Sequence, residues 1–507
     1  MQYSKEELNG QLISAAIVGD VKSVKRLLKP GVDVNAKDND GMTALMWAAR
    51  YGYLNAVKFL MENGADVNAR DNYEWTAMMR AAENGHLDVV KYLVEQGAKV
   101  NAIDINGDMA MIKAAFGGHM DIMKFLAEHG AEVDAKNRYG WTALMEAVRY
   151  GQLDAVRFLA GHGAKVDARN NDGMTAMMLA ARNGQLDIVK FLVEHGAEVD
   201  ARNNDGRAAL MWAAENGYLD VVKLLFEHGA KVNARGNDGA TAMMWAAYNG
   251  DLDVVKYLVE QGAKVNVKGK EGETAMMRAA RYGNLDIVRF LVERGEGVDA
   301  KDKNGATAMM NAALYGHLDV VKFLIEQGAD VNAKGKKRWT AMMWAARDGY
   351  VDIVGFLAGH GAKVDARNDN GMTAMMLAAW NKHIDIVKLL VEHGAKVDAK
   401  DKKRWTAMMG ASLNGHLDIV KFLVEHGADL SVKDNKGNTA VMIARENSRK
   451  GVADYLDPLT QFKERIENTG KGNDGSGLEL KPEIRGMLRT EKGHEYNVAR
   501  HGVSYAV

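Results

Sequence analysis

The residues of this chain with the most chemistry to offer are fourteen histidines, nine tryptophans and two Lys-Lys-Arg-Trp runs, and their spacing decides what each can do. His129, His162, His195, His228, His360, His393 and His426 are separated by multiples of 33 residues, and so are His86, His119, His317, His383 and His416. A zinc site needs its ligands within about 2 Å of one ion. Histidines at a fixed period fall on successive packed helices about 10 Å apart, which is too far to share a metal. There is no cysteine, so thiolate ligands, thiol catalysis and disulfides are excluded. No phosphate-cradling glycine loop, nucleophile elbow or paired-carboxylate constellation rises above the repeat background. The expectation is a chain without enzyme activity, cofactor or metal.

What remains is recognition chemistry, which the period itself helps to locate. Thr43, Thr76, Thr142, Thr175, Thr241, Thr274, Thr307, Thr340, Thr373, Thr406 and Thr439 mark position zero of a 33-residue beat, with Met109 and Ala208 in the two gaps. All nine tryptophans fall in three columns of this ruler: Trp75, Trp141, Trp339 and Trp405 at position −1, Trp47, Trp212, Trp245 and Trp344 at position 4, and Trp380 at position 7. Tyr73 and Tyr139 lie on turns. Position 4 also accepts Arg80, Lys113, Glu146 and Gly410, and because burying unpaired charge is costly the column is expected to be largely open to solvent. Exposed aromatics gathered on one face mark an interaction surface, and Trp, Tyr and Arg dominate interface hot spots. The richest cluster is Lys336-Lys-Arg-Trp339 and Lys402-Lys-Arg-Trp405, read as matching turns two units apart with Trp344, Arg347 and Trp380 between them. Both turns carry an arginine, Arg338 or Arg404, where most units have glycine. They are expected to bracket a patch that takes an acidic ligand.

The elements that position these residues follow from the same ruler. A fixed period of this length signals stacked units that cannot bury their apolar faces alone. The threonine suits a helix N-cap, and the Ala-Met-Met-rich segment after it forms a short helix ending at a glycine nine residues on, such as Gly52 or Gly85. An aspartate at position 12, such as Asp88, opens a second helix whose apolar residues at 13, 14 and 17 face inward. A glycine at 21 stops it, and an Asp/Asn-rich turn leads to the next threonine. Asp88, Lys91 and Glu95, with their equivalents, predict helix-spaced ion pairs on the outer face.

Gly-His-Leu-Asp-Val-Val at Gly85 to Val90 and Gly-Ala-Asp-Val-Asn-Ala at Gly64 to Ala69 recur over residues 5–458, and on these segments the chain resembles the ankyrin repeat family. The resemblance implies an all-α solenoid of helix-turn-helix units whose turn tips and concave first-helix face grip partner proteins. The family's Thr-Pro-Leu-His segment stands here as Thr-Ala-Met-Met or Thr-Ala-Leu-Met, so contacts between units should be apolar, through Met46, Met79, Met178, Met211, Met310 and Met376.

Counting caps gives fourteen units in one elongated domain. An N-terminal capping unit spans residues 1–38, with Gly10 at position zero and Gly31 in register; twelve repeats span 39–434; and a C-terminal cap spans 435–458, broken at Pro458. Residues 459–477 read as a linker, and 478–507 as a tail with a short helix near Pro482, disordered or docking on the repeats or on a partner. The formal charge of −1 recruits neither nucleic acid nor membrane globally, no apolar run approaches membrane-spanning length, and no signal peptide is expected from the polar start Met1-Gln-Tyr-Ser-Lys-Glu-Glu-Leu. A cytoplasmic scaffold is expected, binding protein partners with an acidic patch, with signal-independent secretion left open. Two alternatives stand beside it: binding of a polyanion or nucleic acid through the basic turns, and an effector delivered into another cell.

Overall fold

The computed structural model describes residues 4–28 and 32–469. Among them are 28 α-helices and one turn of 3-10 helix, with an isolated bridge between Lys37 and Thr43 and no strand. They form two compact units that divide between Glu271 and Gly272, rather than the single domain expected from the unbroken period. Repeats touch only their neighbours, so a constant period does not by itself make a whole array one body.

One repeat shows how all are built. Thr76 caps the helix Ala77–Glu83, its hydroxyl accepting the Met79 amide at 3.3 Å. At Met109 and Ala208 that bond is missing and the helix still forms, because burial of an apolar face carries a short helix more than its cap does. Gly85 follows with φ 80°, and a Cβ there would meet the His119 ring at 2.6 Å. That ring belongs to the next repeat, and its Nε2 lies 2.9 Å from the Glu83 carbonyl. The glycine at position 9 and the histidine at position 10 are therefore two sides of one contact between units. The second helix, Leu87–Glu95, buries Val89, Val90 and Leu93, while its polar face stays in water.

The core is spread along each unit. Ala-Ala pairs such as Ala81 and Ala82 are fully buried and let neighbouring first helices approach closely, and Met46, Met79, Met178, Met211, Met310 and Met376 fill the space between them. Turns are stitched separately: Asn68 accepts the Lys99 amide at 2.9 Å and donates to the Gly97 carbonyl at 3.2 Å. Histidines of the second-helix ends are also absorbed locally, as where His129 lies 2.8 Å from the Phe125 carbonyl and 3.9 Å from its ring. The described residues hold no group of three potential metal ligands and no helix long and apolar enough to cross a membrane.

Three expectations fail at the edges. The first helix is Lys5–Ile17, capped by Ser4 with Glu7 completing a capping box, so Gly10 lies inside a helix and does not start one. At the other end the helix Lys450–Thr469 runs through Pro458, so neither the break there nor a linker from 459 holds up to Thr469. Proline removes one backbone bond, but Leu456 and Leu459 are buried on either side and hold the helix to the repeat before it. Gly31, the rest of the linker to 477 and the tail 478–507 lie outside the described residues. On the outer face Lys388 approaches Asp385 only to 3.9 Å. Lysines of that column reach across to the next repeat's ring instead, Lys58 over Tyr92 at 5.5 Å and Lys91 over Phe125 at 5.9 Å. Solvated carboxylates compete poorly for a long side chain that can also cover an aromatic face.

Candidate partner-binding surface

Position 4 is where the structure most changes the reading. Lys113, Glu146, Leu179, Asn311, Leu377, Gly410 and Ile443 are buried, and Trp47, Arg80, Trp212, Trp245, Arg278 and Trp344 are half-buried. The expectation of a solvent-open column rested on the cost of unpaired charge, and most of these charges are paired. Arg80 meets Asp71 at 2.5 Å, Lys113 meets Asp104 at 3.0 Å and Asp108 at 2.7 Å, and Trp47 Nε1 donates to Asp38 at 2.8 Å. The partner is a column that sequence reasoning missed, the Asp/Asn five residues before the threonine. Its Oδ1 closes the turn, as where Asp71 accepts the Tyr73 and Trp75 amides at 2.8 and 2.9 Å, and its Oδ2 is left for the side chain at position 4. The nine-residue separation of Asp and Arg or Lys was visible in the sequence. Glu146 is the exception: burial raises its pKa, opposed by Arg149 at 3.9 Å.

In the first unit the predicted aromatics are partnered by the chain's own cations. Trp47 stacks on Tyr51 at 6.0 Å with Arg50 at 5.3 Å. Trp75 lies between Arg80 at 4.1 Å and Lys113 at 4.0 Å, and Trp141 beneath Arg149 at 5.3 Å. Trp212 and Trp245 share Arg207, at 3.5 and 4.1 Å. Tyr73 and Tyr139 stand out at the turn tips, 57% and 58% exposed. A cavity of about 510 Å³ lies beside Tyr139, Trp141 and Glu146.

In the second unit the four tryptophans form two pairs rather than one patch. Trp339 and Trp344 lie 4.2 Å apart under Arg347, which is 4.4 Å from the Trp344 ring and held by Asp348 at 2.6 Å. Trp380 and Trp405 are 5.9 Å apart and tilted by 42°, and Trp380 is 39% exposed. This second pair borders a cavity of about 910 Å³ that also meets Arg347, Asp401, Gly410 and Asp434.

The two Lys-Lys-Arg-Trp turns are not conformational copies. Arg338 and Arg404 both adopt left-handed backbone, φ 59° and 64°, as does Glu74 at the same position of an earlier repeat. Ten other units place glycine there, with φ from 74° to 87°. Lys337 is left-handed too, at φ 56°, in a turn that Gly335 cannot close with a side chain, whereas Asp401 accepts the Lys403 and Trp405 amides at 2.8 and 2.7 Å. The tips are joined through the repeat between them, Asp369 N to Lys337 O at 2.8 Å and Lys402 N to Asn370 O at 2.9 Å. Arg338 and Arg404 are exposed, and Trp339 and Trp405 are half-buried beside them. A left-handed arginine costs about 1 kcal/mol relative to glycine. Arg404→Gly is therefore expected to raise the stability of this unit by about that amount in urea titrations, while removing the exposed cation.

Ankyrin repeat models match residues 12–104, 101–170, 163–236, 243–335, 333–401 and 397–460. A putative ankyrin repeat protein of Rickettsia felis is 41% identical over 48 residues, which is 10% of this chain and 76% of that protein. With the capped helix pairs, the histidine contacts between units and the stitched turns in place, these matches make the chain a member of the ankyrin repeat family.

Proposed function

We propose that the chain is a non-catalytic scaffold that holds protein partners on its first-helix face and turn tips. Trp339, Trp344, Trp380 and Trp405 serve as anchors, and Arg338 and Arg404 read acidic groups on the partner. Ankyrin repeats are in general modules of protein–protein interaction. The observation that carries the reading is the Trp380–Trp405 pair beside an open cavity, where an indole already partly desolvated can bury the rest of its ring against a partner. The strained arginines support it, since left-handed backbone was accepted there for an exposed cation. A polyanion is the other ligand for which cations and aromatics together are suited, through Lys402, Lys403 and Arg404. An effector role in another cell would use the same surface.

Affinity capture with the native chain beside a Trp339, Trp344, Trp380, Trp405 quadruple-alanine form tests this. Loss of partners worth about 2 kcal/mol or more is expected for a protein interface. A steep loss with added salt and little effect of the alanines would instead mark a polyanion. Equal capture by both forms at every salt concentration would remove the site assignment.

A further inference from the structure

The repeats that begin at Thr76 and Thr406 carry the same three positions, ten periods apart, filled differently. In the first, Trp75 is covered by two cations, Arg80 at 4.1 Å and Lys113 at 4.0 Å, each held by an acid of its own turn, Asp71 and Asp104. In the second, the acids and the indole persist as Asp401, Asp434 and Trp405, but the two cations are replaced by Gly410 and Ile443. A cavity of about 910 Å³ lies there, and its wall includes all five residues. Seven of the nine tryptophans have a cation of this chain over the ring, namely Arg50, Arg80, Lys113, Arg149, Arg182, Arg207 or Arg347. Among the described residues Trp380 and Trp405 have none.

The acids are likewise left half-used. Asp434 is only 7% exposed, and its Oδ1 accepts the Lys436 and Asn438 amides at 2.8 Å each. Asp401 Oδ1 is occupied in the same way. Among the described residues the second oxygen of each carboxylate has no hydrogen-bond donor, whereas that of Asp71 binds Arg80. Both carboxylates line the cavity with that second oxygen open to it, Asp401 half-buried and Asp434 buried, so each is available to a cation that enters. Glycine inside the helix Ala407–Asn414 weakens it relative to alanine, and a Cβ there would lie 3.2 Å from Trp380, so Gly410 admits the Trp380 ring to the cavity wall where Arg80 stands in the earlier repeat.

We infer that the cavity over Gly410 receives an arginine side chain of a partner protein, laid on the Trp405 ring with its guanidinium on Asp401 and Asp434. The partner thus supplies in trans what Arg80 supplies in cis. Guanidinium suits the place better than ammonium because it stacks on an indole and binds carboxylate bidentately. Lys402, Lys403 and Lys436 stand exposed around the rim. Their charge acts over about 10 Å before salt screens it, so it selects acidic residues on either side of the incoming arginine. The inference rests on the scaffold reading and sharpens it: the partner motif is an arginine flanked by Asp or Glu.

The test uses the full chain labelled with 5-fluorotryptophan and the probe acetyl-Asp-Gly-Arg-Gly-Asp amide. Titration is expected to move the fluorine signals of Trp380 and Trp405 and leave those of Trp75 and Trp339 in place. The citrulline form of the peptide, equal in shape but neutral, should bind about tenfold more weakly or worse. Gly410→Arg, which restores the arrangement of the Thr76 repeat, should abolish the response. Because its Cβ would lie 3.2 Å from Trp380, the double change Asp401→Asn and Asp434→Asn provides a second variant. Asparagine is tolerated in that column, as Asn368 accepts the Asn370 and Met372 amides at 2.9 and 3.0 Å, so these changes remove charge and keep the turn. Equal binding of the citrulline peptide, full binding to the Asp→Asn form, or no shift at millimolar peptide would each overturn the inference. So would an equal response to a peptide with aspartates and no arginine, which would assign the cavity to its lysine rim. If the quadruple-alanine form loses captured partners while Gly410→Arg and the Asp→Asn form retain them all, the scaffold reading stands and the arginine receptor falls.

Discussion

Glu296→Ala is expected to stabilise the second unit by about 3 kcal/mol at pH 8 and to flatten its pH dependence. Glu296 occupies the column in which eleven other repeats have alanine, just after the glycine that ends the second helix. It is 3% exposed, and neither carboxylate oxygen has a well-formed hydrogen bond. Burial pushes its pKa from 4.5 up to about 7, eased by the Thr274 hydroxyl and the Met276 amide nearby. The folded pKa stands above the unfolded one, so the folded chain holds the proton more tightly. The penalty is absent below about pH 4.5, grows as the pH rises, and is complete above about pH 7. Urea titrations of the native chain between pH 5 and 8 should show falling stability, and those of Glu296→Ala should not. Glu296→Gln separates charge from shape: it too should lose the pH dependence. A native chain whose stability is flat across this range would mean that the carboxylate reaches water.

Leu324→Ala is expected to destabilise the same unit by about 2–5 kcal/mol. All fourteen units carry leucine at this position of the second helix, and Leu324 is fully buried on a helix that packs against the first helix of its own repeat. Truncation removes apolar contacts and leaves a cavity that rigid neighbours close only in part. Because each repeat is held chiefly by the ones beside it, an interior loss should also weaken cooperativity. Unfolding followed by circular dichroism and by tryptophan fluorescence should then no longer coincide, while the same change at Leu27 in the N-terminal cap should cost less. A single coincident transition with an unchanged midpoint would contradict this account of the core.

Much of the local structure was legible because the sequence repeats its own experiment. Thr76, Gly85, Leu93 and Gly97 recur at fixed offsets, and caps, helix ends and buried leucines depend on nothing further away than the adjoining repeat. The site was harder to read. Variation at position 4 was visible, but its meaning depended on Asp71, Asp104 and Asp401, which are distant in the ruler and adjacent in space. Identical Lys-Lys-Arg-Trp runs likewise took different backbones, Lys337 left-handed in one, while in the other Asp401 closes the turn on Lys403 and Trp405.

The sequence by itself determined the repeat, its caps, the apolar packing of its methionines and the columns that hold every tryptophan, since these follow from short-range periodicity and helix chemistry. Only the tertiary structure decided which charges at position 4 are paired, which tryptophans already hold a cation, and that Asp401, Asp434 and Trp405 border one open cavity. Pairing and vacancy are properties of neighbours across repeats, and a column read along the chain does not contain them.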